Sequence, residues 1–241
     1  MKIPTIKVPT YTMTLPDTTD PIKYRPFLVK EEKVLINAIE QISGEKNETS
    51  KLLEFIDAIG SVVSDCTDGK IDVEMAPMFD VQYAFLQIRG KSIGETSEVY
   101  LTCPTCGYRL AKSIHVNDFV MKHQTGHTKD IDLGDGTVIT MRYPTMHHYV
   151  SLFTDDNEQS VYQVVSECID KIVDPEQVFI NDGSDKAGML ELVNNMTPEK
   201  FEKLEKFFET MPVLAHTINY TCAKCQAENS VTVDGIRNFF L

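Results

Sequence analysis

The chain has 241 residues, enough for one large domain or two small ones, and its 42% hydrophobic and 24% charged content excludes disordered, collagenous and low-complexity classes. Lys and Arg total 23 against 36 Asp and Glu, a formal charge of −13 that argues against a nucleic-acid binder working through its whole surface. The N-terminal segment is interrupted by two Lys and two Pro, and the longest stretch free of charged residues, Thr210 to Ala223, falls short of the roughly 20 apolar residues of a membrane span, so neither a signal peptide nor a membrane segment is expected.

In chain order, Tyr11, Met13 and Leu15 alternate with Thr12 and Thr14, a turn-rich Pro16 to Pro21 follows, and Ile22 to Phe27 returns, which predicts a β-hairpin. Leu35, Ile39 and Ile42 predict a helix from Glu31 to about Ile42, and Leu52, Ile56, Ile59 and Val63 predict another from about Ser50 to Ser64. Within Phe79 to Ile88, the residues Val81, Tyr83, Ala84, Phe85 and Leu86 are too densely apolar to show one face, as in a buried helix. Strands are expected on both sides of the first cysteine pair. Ile131 to Tyr143 reads as a hairpin turning at Gly134-Asp135-Gly136; its acids miss the spacing of a calcium loop. Further on, Val161, Val165, Cys168 and Ile172 predict one helical stripe. Thr197-Pro198 starts a helix carrying Phe201, Leu204 and Phe208 on one face. Strands are expected again from Leu214 to Thr221 and at Ser230 to Val233.

The chemistry is concentrated in two matching segments, Leu101-Thr102-Cys103-Pro104-Thr105-Cys106-Gly107 and Tyr220-Thr221-Cys222-Ala223-Lys224-Cys225-Gln226. Each is a strand running into Cys-x-x-Cys. Two intervening residues let both sulfurs turn toward one ion, and two such knuckles complete a tetrahedral thiolate site. In a chain expected in a reducing compartment, close-spaced cysteines point to metal rather than to disulfides. The expected cofactor is therefore one structural Zn²⁺ held by Cys103, Cys106, Cys222 and Cys225. A competing set, Cys103 and Cys106 with His123 and His127, imitates a zinc finger but leaves the second knuckle unexplained. Cys66 and Cys168 follow apolar stripes and read as small buried hydrophobes. His147 and His148 with Asp155 or Asp156 are the residues an open hydrolytic metal site would use. No nucleophile elbow, His-Glu-x-x-His or phosphate loop accompanies them, so the chain reads as non-enzymatic, with no small-molecule substrate.

Three further segments carry a resemblance. Pro9 to Pro16 with Lys23 to Lys33, then Phe79 to Glu95 leading into the first knuckle, then the second knuckle with Gly235-Ile236-Arg237-Asn238-Phe239-Phe240, resemble the baseplate hub assembly proteins of T4-like bacteriophages. The likeness implies a protein that helps build the central hub of a contractile tail's baseplate in the host cell cytoplasm. Its implied partners are other phage hub and tail proteins, with no membrane. Arg25, Lys30, Arg89 and Lys91 lie in these segments and make a candidate basic partner-binding face, although Arg25 and Arg89 are also suited to ion pairs inside the fold. The alternative function is a zinc-ribbon nucleic-acid binder, favoured by Arg109, Lys112, Lys224 and Arg237 near the knuckles and opposed by the scarcity of cations for phosphate.

The expected architecture is α+β. An N-terminal hairpin with helices occupies 1–95, the first knuckle with a β-hairpin 96–143, a second helical region 144–212, and the second knuckle with a C-terminal strand 213–241. The remote knuckles would form a zinc ribbon that joins these segments into one cooperative unit.

Overall fold

The structure, a computed structural model, describes residues 6–42, 48–148 and 158–234. The alternating N-terminal residues form the expected hairpin: β1 (Tyr11–Thr14) runs antiparallel to β2 (Pro21–Tyr24), with Tyr11 opposite Tyr24 and Met13 opposite Ile22. Its buried residues, Met13, Leu15 and Tyr24, pack on α1 (Val29–Ile42), α2 (Glu48–Cys66) and α3 (Met78–Ile93).

The buried line of α1 differs from the expected one. Glu31, Leu35 and Ala38 face inward, spaced as one helical stripe, whereas Ile39 is 43% exposed. The reason lies at the first turn. Glu31 Oε2 accepts the Leu28 N–H at 2.7 Å, capping the helix, while Oε1 meets Arg25 Nη2 at 2.8 Å. Holding that carboxylate inward fixes the rotation of the helix, and apolar residues off this line are left outside.

Helix α3 is buried on nearly every side and is the hub of the packing. Val81, Ala84, Phe85 and Ile88 join the N-terminal cluster, Phe79 a second cluster and Leu86 a third. A helix that contributes to three cores has no polar face to display, which is why its sequence shows no clear amphipathic period.

The second cluster lies between helices and a four-stranded antiparallel sheet in the order β6 (Asp130–Asp132), β7 (Val138–Met141), β8 (Ile169–Val173), β9 (Val178–Ile180). The β6–β7 turn matches expectation, with Gly134 and Gly136 at φ +87° and +89°. The stripe through Ile172 does not. Helix α4 (Glu158–Glu167) ends before Cys168, and Ile172 sits in β8, opposite Ile139 and Phe179. Apolar residues at 165, 168 and 172 satisfy a helical period by coincidence; the run from 169 to 173, with β-branched Ile169, Ile172 and Val173, instead completes the ladder that starts where the Arg142 N–H meets the Cys168 carbonyl at 2.7 Å. Helices α5 (Lys186–Asn194) and α6 (Pro198–Thr210) cover this sheet, with Leu204 and Phe207 fully buried. Thr197 stands at the N-cap and Pro198 in the first turn as expected, but it is the Thr197 carbonyl, not its hydroxyl, that takes up the Lys200 and Phe201 N–H groups.

The third cluster is formed by the strands that carry the cysteine loops at their ends. Strands β3 (Thr96–Thr102) and β4 (Arg109–His115) form one hairpin, and β10 (Val213–Thr221) and β11 (Glu228–Asp234) form another. After a 3-10 turn at Val116–Asp118, β5 (Val120–Lys122) pairs with the start of β10, Leu214 opposite Met121. The chain is thus of mixed α+β class. Among the described residues no helix is long and apolar enough to cross a membrane.

Candidate metal centre

Both knuckles are built by the same backbone bonds. The Cys103 N–H donates to the Tyr108 carbonyl and the Gly107 N–H to the Cys103 carbonyl; the Cys222 N–H donates to Ala227 and the Gln226 N–H to Cys222, all at 2.9 Å. Each loop needs a left-handed residue to close, Gly107 at φ +67° and Gln226 at φ +59°. The first is a glycine, which takes this conformation without a Cβ clash. The second is a side chain in a conformation that costs it energy, partly offset as its Nε2 donates to the Ala223 carbonyl at 3.3 Å.

Two features bring these remote loops together. Strand β5 leaves the first hairpin and docks on β10, and the Tyr220 hydroxyl donates to the Thr102 carbonyl at 3.4 Å. The four sulfurs then lie within 4.8 Å of one another, with Cys103 to Cys225 at 3.7 Å and Cys106 to Cys222 at 3.6 Å. Asn229 Nδ2 approaches the Cys103 sulfur at 3.8 Å. A group of this kind can hold one metal ion.

The electrostatics prepare the first sulfur of each knuckle for ionisation. Burial works against the Cys103 thiolate, but the Cys106 and Thr105 N–H groups and the Cys222 and Cys225 thiols outweigh it and bring its pKa down to about 6. The Cys225 and Lys224 N–H groups lower Cys222 in the same way. Cys106 moves oppositely: the Tyr108 N–H favours its thiolate, yet burial and its three cysteine neighbours push it up to about 12. Without a cation the cluster carries only part of its negative charge.

A family model described as T4 bacteriophage base plate protein matches residues 8–241. The chain belongs to that family. No significant match was found among curated proteins or among solved structures. This baseplate protein carries a four-cysteine cluster at the tips of two hairpins whose strands share the third core, and packs α3 against all three cores.

The competing ligand set does not assemble. His127 turns one ring nitrogen to Thr210 Oγ1 and the other to the Tyr143 hydroxyl, both at 3.0 Å, and stacks on Tyr143 and Phe207. His148 is equally committed. Its Nδ1 accepts the Thr145 N–H at 3.1 Å, closing the turn that follows β7, and its Nε2 stands 3.2 Å from Glu167. Asp155 and Asp156 lie outside the described residues. Cys66 and Cys168 are buried, and burial pushes both thiols up to about 12, far from reactive.

The basic residues are largely compensated. Arg25 pairs with Glu31 and donates to the Pro26 and Asp65 carbonyls at 3.0 and 3.1 Å. Lys30 reaches Glu31 at 3.0 Å and Asp65 at 3.7 Å. Lys91 pairs with Glu95 and lies over the Tyr11 ring. Arg89 is half-buried, and burial disfavours its charged form.

Sequence reasoning missed a polar network beneath the second cluster. Asp80, on α3 and 1% exposed, accepts the Asp17 N–H at 3.1 Å, and Asp17 pairs with Lys129, which lies over the Tyr143 ring at 4.3 Å. The clue in the sequence was an acid, Asp80, next to the densely apolar run of that helix.

Proposed function

We propose that Cys103, Cys106, Cys222 and Cys225 hold one structural zinc ion, and that the chain acts without catalysis in building the central hub of a contractile tail's baseplate. Its partners would be other hub and tail proteins, met in the host cytoplasm. The observation that carries the metal reading is the convergence of two identically built knuckles. Four thiolates at about 2.3 Å from zinc stand about 3.8 Å apart, and two approaches between the knuckles, 3.7 and 3.6 Å, match that spacing. Four sulfurs fill the coordination sphere and leave no position for water or substrate, so the ion serves the fold.

Metal analysis and native mass spectrometry of the purified chain test the first half. One zinc per chain is expected, lost together with the fold in Cys103→Ser and Cys222→Ser; a folded, metal-free wild-type protein overturns it. The second half is tested by purifying the tagged chain from infected cells with nuclease present. Hub proteins should co-purify, and their absence refutes the hub role.

Arg25, Lys30, Arg89 and Lys91 would form the basic contact with a partner, tested by Arg25→Ala plus Arg89→Ala. Lost assembly at unchanged stability supports a contact; lost stability assigns them to the fold. One observation favours the nucleic-acid reading instead: on the first hairpin Tyr100 is 59% exposed with Arg109 4.9 Å above its ring. A steeply salt-dependent affinity for DNA or RNA would establish that reading.

A further inference from the structure

The two edges of the four-stranded sheet are finished differently. Strand β6 carries Asp130 and Asp132, exposed charges of the kind that keep a sheet edge from pairing with another strand. Strand β9, at the other edge, is Val178-Phe179-Ile180, with exposures of 60%, 43% and 67%. Edges are blunted by charged side chains, Pro or shortness; this one, three residues long, has neither a charge nor a Pro within it.

The edge is also preformed. At one end Asp174 accepts the Glu176 and Gln177 N–H groups on Oδ1, both at 2.8 Å, and its own N–H meets the Gln177 carbonyl at 3.0 Å. At the other, buried Asn181 donates from its backbone to Asp170 and from Nδ2 to Ile169, each at 2.8 Å, while Arg142 Nη2 donates to the Asn181 carbonyl at 2.6 Å. The bonded pairs at 174–177 and 170–181 fix the alternation of the ladder, so Ile172 and Phe179 face each other through hydrogen bonds. The N–H and C=O groups of Val178 and Ile180 consequently point away from β8. Among the described residues no backbone partner meets them.

The surrounding charge chooses between occupants. Glu176 and Asp182 flank the strand, both exposed, with Asp174 and Asp185 beyond them. A second copy of the chain, pairing antiparallel with Val178 opposite Ile180, would set Glu176 directly against Asp182 of the other copy, and like charges directly opposite are destabilising. A strand with Lys or Arg at its ends meets attraction at the same two places.

We propose that β9 is a docking edge for an extended segment of another baseplate protein, apolar at its centre and basic at its ends, added to the sheet as a fifth strand. The backbone of Val178 and Ile180 supplies the hydrogen bonds, their side chains and Phe179 the apolar contact, and Glu176 and Asp182 the preference for a basic partner. This deepens the assembly reading and rests on it for the partner's source; it does not depend on zinc.

The test uses the purified full chain and two synthetic strand peptides with the same Val/Ile centre, one flanked by Lys and one by Glu, measured by fluorescence anisotropy. The Lys-flanked peptide should bind at least about tenfold more tightly, and slow hydrogen exchange at the Val178 and Ile180 amides. Val178→Pro removes an outward N–H without touching the β8 ladder and should abolish binding at an unchanged melting temperature. If that variant does not fold, Ile180→Lys at the same edge should abolish it too. Glu176→Lys with Asp182→Lys should reverse the preference. Equal binding of both peptides, binding that survives these changes, or a wild-type dimer dispersed by Ile180→Lys overturns the proposal. Hub assembly lost in Cys103→Ser but intact in Ile180→Lys discards this edge and leaves the assembly reading standing; hub proteins absent from the wild-type purification discard the reading itself.

Discussion

The sulfurs of Cys103 and Cys225 lie 3.7 Å apart although 122 positions separate them in the chain. Closing so long a loop with a metal restricts the unfolded chain in the same sense as a disulfide does. Stripping the proposed zinc with a strong chelator is therefore expected to unfold the chain, read as loss of its cooperative melting transition. Cys225→Ser should lie near the chelated wild type and show no further response to chelator. Differential scanning fluorimetry with and without added zinc reads both.

The part-buried Arg25–Glu31 pair, with Glu31 itself buried, is expected to make the N-terminal hairpin and helices acid-sensitive. Burial disfavours the Glu31 carboxylate, but Arg25, the Leu28 N–H and Lys30 more than compensate and hold its pKa at about 2, below the ordinary 4.5. Its contribution is complete above about pH 4.5 and is lost as pH falls toward 2. Glu31→Gln leaves Arg25 without its charge partner and should cost about 3 kcal/mol at neutral pH, with a flatter stability profile below pH 4.5. Chemical denaturation at pH 7, 4 and 3 measures this.

Asp80 should act with the opposite sign. Burial raises its pKa to about 6 from 3.8, against the opposing bond from the Asp17 N–H. The folded state then holds the proton more tightly than the unfolded chain, so stability falls as pH rises from about 4 to 6 and the penalty is complete above that. Asp80→Asn keeps an acceptor for the Asp17 N–H and removes the charge. It should stabilise the protein by about 1–2 kcal/mol at pH 8 and by little at pH 4, as measured by denaturation at the two pH values.

The two knuckles should tolerate side chains unequally. Gly107 at φ +67° is a position where a β-branched residue is strained, and Gly107→Val is expected to cost about 1–3 kcal/mol and weaken zinc retention. Gln226→Gly, which relieves the same conformation at φ +59° while loosening the unfolded chain, should change stability by less than about 1 kcal/mol. Melting temperatures and zinc release to a chromogenic chelator compare them.

In the second core, Phe207 is 1% exposed and packs against His127, Tyr143 and Phe208. Phe207→Ala should cost about 3–5 kcal/mol, enough to show as loss of soluble protein at 37 °C.

Much of this was legible in the chain itself. A Cys-x-x-Cys loop is specified within a few residues, and so are the glycine turn between β6 and β7 and the Pro198 start of α6. Periodicity served less well where one spacing suits two structures. Val165, Cys168 and Ile172 look helical, but β8 forms because a neighbouring strand was there to pair with it. On α1, Ile39 matched the expected stripe, yet the Arg25–Glu31 bond turned a different face inward. Phe207 lay outside the expected face of α6 because that face was drawn from spacing alone.

The sequence by itself determined the local chemistry: two Cys-x-x-Cys loops, their turns, and an α+β succession of elements, each governed by interactions between near neighbours. Only the tertiary structure decided that the loops face one another, that α3 joins three cores, and that β9 ends a sheet with an apolar edge beside a charged one. Those outcomes depend on which distant surfaces bury one another, as β5 does on β10 and β8 on β7. No window of the chain contains both halves of such a contact.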